Sequence, residues 1–122
     1  MPKALGEFEQ AILFALLELE GEEAYGVSIR ESIEGRTGRT LSSGAVYTAL
    51  DRLREQGLVS SWIGEPTPER GGRRKRLYRL APEGALTLAR SAQLFMDMSR
   101  GLLPALEARV GGRDAGSDGG GS

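Results

Sequence analysis

The chain has 122 residues with a formal net charge of −1, and it contains neither cysteine nor histidine. This length allows one small domain with its own core, and the missing side chains exclude disulfides, thiolate chemistry, the commonest zinc ligands and the usual general base. We therefore expect no metal, no cofactor and no enzymatic activity. We also expect a cytoplasmic location, because the apolar run at residues 11–17 is far shorter than the ~20 residues that span a membrane.

Three helices are predicted in the first half of the chain. Apolar residues at helical spacing indicate a first helix from Leu5 to about Glu20. A second helix opens at Tyr25-Gly26 and is expected to stop at Gly35, with a buried side formed by Val27, Ile29 and Ile33. A third helix begins after Ser42, a favourable N-cap, and ends at Gly57. Its apolar stripe predicts that four other side chains face outward: Tyr47, Thr48, Asp51 and Arg52.

Two short strands and a basic connection follow. Leu58–Ile63 and Arg76–Leu80 are rich in β-forming residues, and residues 64–75 between them are expected to be mobile. Six of the ten residues from 70 to 79 are cationic. Helix, strand, basic glycine-rich tip and strand is the order of a winged helix-turn-helix, in which one helix enters the DNA major groove and a cationic hairpin reaches the backbone. The predicted fold class is mostly α with a small β-hairpin.

The last predicted helix covers residues 82–110 and begins at Pro82, which suits the first helical position. It is apolar on more than one side, so one side is free to meet a second copy of the chain. Pro104 predicts a kink or break near Arg100–Gly101. The glycine-rich residues 111–122 are expected to be a disordered tail. The predicted domains are therefore 1–81, a winged helix-turn-helix; 82–110, a dimerisation helix; and the tail 111–122.

Charge is distributed unevenly along the chain. Residues 1–34 carry two cationic and eight anionic side chains, whereas residues 35–79 carry ten cationic and four anionic ones. Phosphates respond to the local field, and salt screens exposed charges that are more than about 10 Å away. The uneven charge therefore favours a nucleic-acid partner despite the negative total.

Several motifs, in order along residues 5–84, resemble those of the PadR-like transcriptional regulators. The matching pieces are Leu5-Gly6-Glu7-Phe8-Glu9, Tyr25-Gly26, Ser43-Gly44-Ala45-Val46-Tyr47, Gly57-Leu58-Val59 and Gly72-Arg73-Arg74-Lys75-Arg76-Leu77-Tyr78. The short C-terminal helix is similar to that of the smaller branch of the family. The resemblance implies a homodimeric winged-helix repressor that binds double-stranded DNA at a pseudo-palindromic operator and is released by a small molecule or a stress signal.

In this family branch the dimer forms through the first and last helices. The dimerisation residues that the resemblance implies are Phe8, Ile12, Leu16, Leu88, Phe95, Leu102 and Leu106. Some small members stack flat drugs on a tryptophan of the last helix, which is absent here. The candidates for binding an apolar effector are instead Phe95, Met96 and Met98, which are adaptable side chains that also suit a core.

The third helix supplies most of the candidate DNA contacts. Its start, at Ser42, Ser43 and Gly44, combines free amides with small side chains that permit close approach to phosphate. The outward phenol of Tyr47 is expected to donate to phosphate rather than to pack as a half-buried ring. Two further side chains either reach the groove or are only solvated, namely Thr48 and Arg52.

The wing and the start of the second helix supply the remaining candidates. Arg73, Arg74 and Lys75 are expected to contact the DNA backbone or the minor groove, whereas Arg76 and Arg79 alternate with apolar residues and are assigned to the other face. Tyr25 either packs against the third helix or donates to a phosphate. An alternative function is a winged-helix protein-interaction module whose basic hairpin binds an acidic partner.

Overall fold

A computed structural model describes residues 5–65 and 74–117. Five helices and one hairpin succeed one another along these residues. The elements are α1 (Glu7–Glu18), α2 (Gly26–Thr37), α3 (Ser43–Glu55), β1 (Val59–Ile63), β2 (Arg76–Leu80), α4 (Pro82–Ser99) and α5 (Leu103–Ser117). This order confirms the predicted mostly helical fold with a small β-hairpin.

The core lies where α1, α2 and α3 pack on one another and on the hairpin. Its fully buried side chains come from all three helices, namely Ile12, Leu13, Leu16, Ile29, Val46, Leu50 and Leu53. The hairpin is antiparallel, with Val59 opposite Leu80 and Ile63 opposite Arg76. The amide of Tyr78 donates to the carbonyl oxygen of Ala24 at 2.9 Å, which joins the segment before α2 to β2. Burial also raises the pKa of the Tyr78 hydroxyl.

The end of α2 differs from the prediction. Gly35 lies inside the helix, and the stop comes at Gly38, which has a left-handed φ of 74° and donates its amide to the carbonyl oxygen of Glu34. Val27 is 40% exposed, whereas Ile29 and Ile33 are buried as predicted. Because Val27 precedes Ile29 by two residues, it lies roughly 200° around the helix from it, on the opposite face.

The chain divides into two compact units, one ending at Ser91 and the other beginning at Ala92. The first turns of α4 belong to the first unit, because Leu88 is buried there and the Ala81 amide donates to the carbonyl oxygen of Leu58 at 3.0 Å. This division comes ten residues after the predicted domain boundary at residue 81. The apolar side chain of Leu88 makes these first turns of α4 part of the core of the first unit.

The C-terminal region consists of two helices rather than one. The predicted break is confirmed, because α4 ends at Ser99 and Gly101 has a φ of 78° before α5 begins at Leu103. Pro104 stands in the first turn of α5, where its missing amide costs no helical hydrogen bond. The backbone of residues 111–117 continues α5, which differs from the predicted disordered tail. The prediction rested on composition, because glycine-rich residues without large apolar side chains have little surface to bury. Residues 118–122 lie outside the described part of the chain.

Three of the predicted dimerisation residues are buried within the first unit. Ile12, Leu16 and Leu88 are 0%, 2% and 3% exposed, and Phe8 is partly buried against the same core. Their helical spacing indicated an apolar face, but that face packs inside the chain and leaves little surface for a partner. The outer flank of α1 instead presents Phe14 and Leu17, which are 45% and 46% exposed.

Candidate nucleic-acid interface

The turn between α2 and α3 fixes the position at which α3 begins. The Leu41 amide donates to Oε2 of Glu34 at 2.7 Å, so a side chain of α2 holds the end of the turn. One residue later, the hydroxyl of Ser42 accepts the amide of Ala45 at 3.0 Å. Ser42 is thereby confirmed as the N-cap, and its oxygen satisfies an amide that the first turn of the helix leaves without a partner.

α3 has one buried and one exposed face. Val46, Ala49, Leu50 and Leu53 are at most 3% exposed and pack into the core. The opposite face is exposed and carries five of the predicted contacts, Ser43, Gly44, Tyr47, Thr48 and Arg52, together with Asp51, which was predicted only to face outward. The position of Gly44 is open, since no atom of the described neighbouring residues lies within 4 Å of where its Cβ would stand. The outward orientation of this face is therefore confirmed.

Tyr47 packs against α2 while its ring stays 43% exposed. Its phenol lies directly over Gly26, and a Cβ at that residue would overlap the hydroxyl oxygen and the ring carbon that bears it. Glycine leaves room here for the aromatic ring to approach the backbone of the first residue of α2. The hydroxyl end of Tyr47 thus packs against α2, and its contact with a phosphate stays a prediction.

The base of the wing is fastened to the start of α2. Lys75 Nζ lies 3.0 Å from Oε1 of Glu23 and 4.2 Å from the ring centroid of Tyr25. The Lys75 side chain is only 19% exposed. Tyr25 is half-buried as the residue before α2, and its amide donates to the hydroxyl of Ser28 at 3.0 Å. Lys75 therefore holds the hairpin in place, and its charge is already matched by a carboxylate.

The other predicted wing cations lie in different surroundings. Arg73 falls outside the described residues, and Arg74 is exposed. Arg76 donates to the hydroxyl of Ser61 at 3.2 Å, whereas the guanidinium of Arg79 lies 5.0 Å from the centroid of the Trp62 ring. Each of these two arginines therefore contacts a side chain of β1, and Arg74 is left as the exposed cation at the described end of the wing.

Two arginines of the helix-turn-helix pair with the start of α1. Arg52 lies 3.7 Å from Glu9, and Arg39 lies 3.7 Å from Glu7. Both arginine side chains remain more than half exposed, so these pairs are weak, each worth roughly 0–1 kcal/mol. Arg52 was predicted as a groove contact without this partner, and Arg39 was not singled out.

Arg30 is a second residue that the sequence did not reveal. Its Nη1 donates to the hydroxyl of Ser43, the first residue of α3, at 2.8 Å. Its Nε is buried and has no hydrogen-bond partner among the residues that the structure describes. In the sequence Arg30 is an isolated cation within an acidic segment, and only the packing of α2 across α3 brings it to the predicted DNA-binding face.

An apolar groove of about 490 Å³ lies between α1 and α2, with Phe14 and Leu17 in its wall. At its rim the Arg36 guanidinium donates two hydrogen bonds to Glu18, at 2.8 and 2.9 Å. These bonds, with one from Ser32, lower the pKa of Glu18 to about 2. The groove is not lined by the predicted effector residues, which are more than half exposed on α4: Phe95, Met96 and Met98.

The described residues contain no cluster of three acidic side chains arranged to hold a metal ion. Among these same residues, no helix has both the length and the apolar character needed to cross a membrane.

Comparison with known proteins assigns the fold to a family. No curated protein matches this chain. A transcriptional regulator from Clostridium thermocellum is similar, at 26% identity and a TM-score of 0.62 over 75% of this chain and 85% of its own. A PadR family transcription regulator from Clostridium difficile shares 26% identity, with a TM-score of 0.63 over 80% of this chain and 97% of its own.

A PadR-like transcriptional regulator from Bacillus cereus, at 20% identity, has the same fold, with a TM-score of 0.65 over 82% of this chain and 91% of its own. The family described as "Transcriptional regulator PadR-like family" matches residues 13–90, which include α2, α3 and the whole hairpin. The chain therefore belongs to the PadR-like family of transcriptional regulators.

Proposed function

We propose that the chain is a homodimeric repressor that binds a pseudo-palindromic operator in double-stranded DNA and is released by a small-molecule or stress signal. The observation that carries this proposal is the exposed face of α3. The helix begins with small and polar residues after the Ser42 cap, and its opposite face is buried in the core. On the exposed face, Tyr47 is the one large apolar side chain among the described residues. These properties suit a helix that enters the major groove.

In this proposal the residues on and beside α3 divide into two roles. Ser43, Gly44 and Tyr47 contact backbone phosphates close to the start of the helix. Thr48 reaches base edges, and Arg52 does so once its ion pair with Glu9 is broken. Phosphate contacts set the register of the protein, and base contacts set its sequence preference. Tyr25 supports the site by packing under Lys75.

The wing adds sequence-independent affinity. Arg73 and Arg74 approach phosphates or the minor groove, whereas Lys75 contributes mainly by holding the hairpin against α2. Each phosphate contact that is made with a cation releases counterions, so binding should weaken steeply as salt rises.

The dimer is proposed to form through α1 and the C-terminal helices. The second unit leaves a long row of apolar side chains in solvent, 45–68% exposed, namely Leu94, Phe95, Met96, Met98, Leu102, Leu103, Leu106 and Val110. Monomeric proteins rarely expose so large an apolar surface. Phe14 and Leu17 replace the buried Ile12 and Leu16 as the proposed contribution of α1. An apolar effector would lodge beside Phe95, Met96 or Met98 once two copies enclose these side chains.

Gel retardation with DNA from the region upstream of the gene, in an excess of unrelated competitor DNA, tests the function. We expect a specific complex that protects two half-sites about 34 Å apart in footprinting. Light scattering of the free protein should give about twice the 13.1 kDa chain mass. A monomer that binds no DNA duplex but binds an acidic peptide would refute the proposal and favour a protein-interaction module.

A further inference from the structure

We propose that Arg30 holds a phosphate of the DNA backbone, together with the hydroxyl of Ser43, at the start of α3. This inference rests on the proposed DNA binding and adds a residue that neither the motifs nor the basic wing indicated. Two observations carry it, the hydrogen bond from Arg30 to Ser43 and the unmatched state of the Arg30 guanidinium.

The charge of Arg30 has no counterpart among the described residues. Arg36, Arg39, Arg52 and Lys75 each have a carboxylate within 4.0 Å, and the described part of the chain offers none to Arg30. Arg30 is also half-buried, whereas Arg36, Arg39 and Arg52 are exposed to solvent. A partly desolvated cation without a counterion is costly, and an incoming phosphate removes that cost.

The hydrogen-bonding capacity of Arg30 is also unfilled. A guanidinium has five N–H donors, of which one is used for Ser43 and one, on Nε, is buried without an acceptor from the described part of the chain. Phosphate oxygens match the planar fork of arginine and accept two parallel hydrogen bonds from it. A small rotation of the side chain toward a phosphate would give Nε the acceptor that it lacks in the free protein.

Ser43 explains why this phosphate lies on the DNA-binding face. It is exposed at the first position of α3, and Arg30 reaches it from the facing helix α2. The hydroxyl accepts from Arg30 and keeps its own proton free to donate to a phosphate oxygen. Arg30 and Ser43 therefore form a two-residue phosphate contact that also fixes α3 relative to α2.

The test uses the full chain and the upstream duplex, with affinity measured over a range of salt concentrations. Arg30→Met keeps the apolar stem and removes the charge. It should weaken binding about tenfold per protomer and make the log–log salt slope shallower by about 0.9 per protomer. Arg30→Lys keeps the charge, so its slope should stay near that of the wild type while its affinity falls. The matched control is Arg90→Met, which removes an exposed cation of α4 and should change neither quantity.

Thermal unfolding of the free protein is the second readout. Since Arg30→Met removes an unmatched charge and a buried donor, its unfolding temperature should be equal to or higher than that of the wild type. If Arg30→Met does not fold, Arg30→Gln takes its place, and its salt slope should be shallower than that of both the wild type and Arg30→Lys. A parallel loss of affinity at every salt concentration would overturn the proposal, because Arg30 would then only position α3, and so would unchanged binding. A wild type that binds no duplex would refute the proposed function itself.

Discussion

Replacing Gly26 by alanine should weaken DNA binding while hardly changing stability. The new Cβ would overlap the hydroxyl and ring of Tyr47, which would have to rotate away from α2. That displacement costs about 1–3 kcal/mol when an interior is overpacked, but the ring is already 43% exposed and moves readily into solvent. Alanine also favours the helix by up to about 1 kcal/mol over glycine. We therefore expect the free energy of unfolding to change by no more than about 1 kcal/mol.

The cost should appear in DNA affinity. A hydrogen bond from Tyr47 to a charged phosphate is worth about 1.5 kcal/mol or more, so its loss weakens binding roughly tenfold per protomer. Fluorescence anisotropy with the upstream duplex measures affinity, and urea denaturation measures stability. Gly35→Ala is the matched control in the same helix; nothing lies within 4 Å of its Cβ, so it should stabilise the protein by about 0.5–1 kcal/mol and leave affinity unchanged.

A double-mutant cycle identifies the cause of the effect. In a Tyr47→Ala background there is no ring to displace, so Gly26→Ala should have almost no further effect on affinity. An equal loss in both backgrounds would refute the reasoning, because the substitution would then act on DNA binding without Tyr47.

Four further substitutions give distinct expected outcomes. The pKa of Glu18 is about 2 rather than its ordinary value of 4.5, so its ion pair stabilises the fold fully above pH 4.5 and is lost as the pH falls through 2. Glu18→Gln should flatten the pH dependence of urea unfolding across that interval, and an unchanged profile would contradict this. Arg74→Met should make the salt slope of DNA binding shallower by about 0.9 per protomer, whereas Lys75→Met should mainly lower the unfolding temperature; equal slope changes would show that both cations contact phosphate. Glu9→Gln should release Arg52 and strengthen DNA binding at low salt, an effect that retardation assays would detect and that high salt should remove.

Local signals in the sequence were sufficient to predict most of the elements. The hydroxyl of Ser42, the fixed φ of Pro82 and the β-formers of residues 76–80 act within a few residues, and the structure has an element boundary or a strand at each. Gly35 and Gly38 show the limit of such signals. Both are stop signals by composition, and only the folded chain shows that Gly38 takes the left-handed φ while Gly35 stays inside the helix.

Features that depend on packing between elements could not be predicted in this way. The contact of Tyr47 with Gly26, the bond from Arg30 to Ser43 and the pairing of Lys75 with Glu23 join residues that are 13 or more positions apart. The burial of Ile12 and Leu16 is a related case, because helical spacing shows that a face is apolar and does not show which partner covers it. The predicted α3 surface was correct since one helix face could be assigned to the core by periodicity alone.

The charges show how the fold changes the meaning of a sequence-level imbalance. Four carboxylates of the acidic segment 1–34 pair with cations of the basic segment 35–79, at 2.8 to 3.7 Å, so the two segments do not form separate acidic and basic lobes. The pairs differ in strength. Arg36 is held by two short hydrogen bonds, whereas the long, exposed pairs of Arg39 and Arg52 can exchange a carboxylate for a phosphate at little cost. Among the described winged-helix residues, the cations without a carboxylate within 4.0 Å are therefore Arg30 and the arginines of the hairpin, Arg74, Arg76 and Arg79, and uncompensated cations of this kind attract phosphates most strongly.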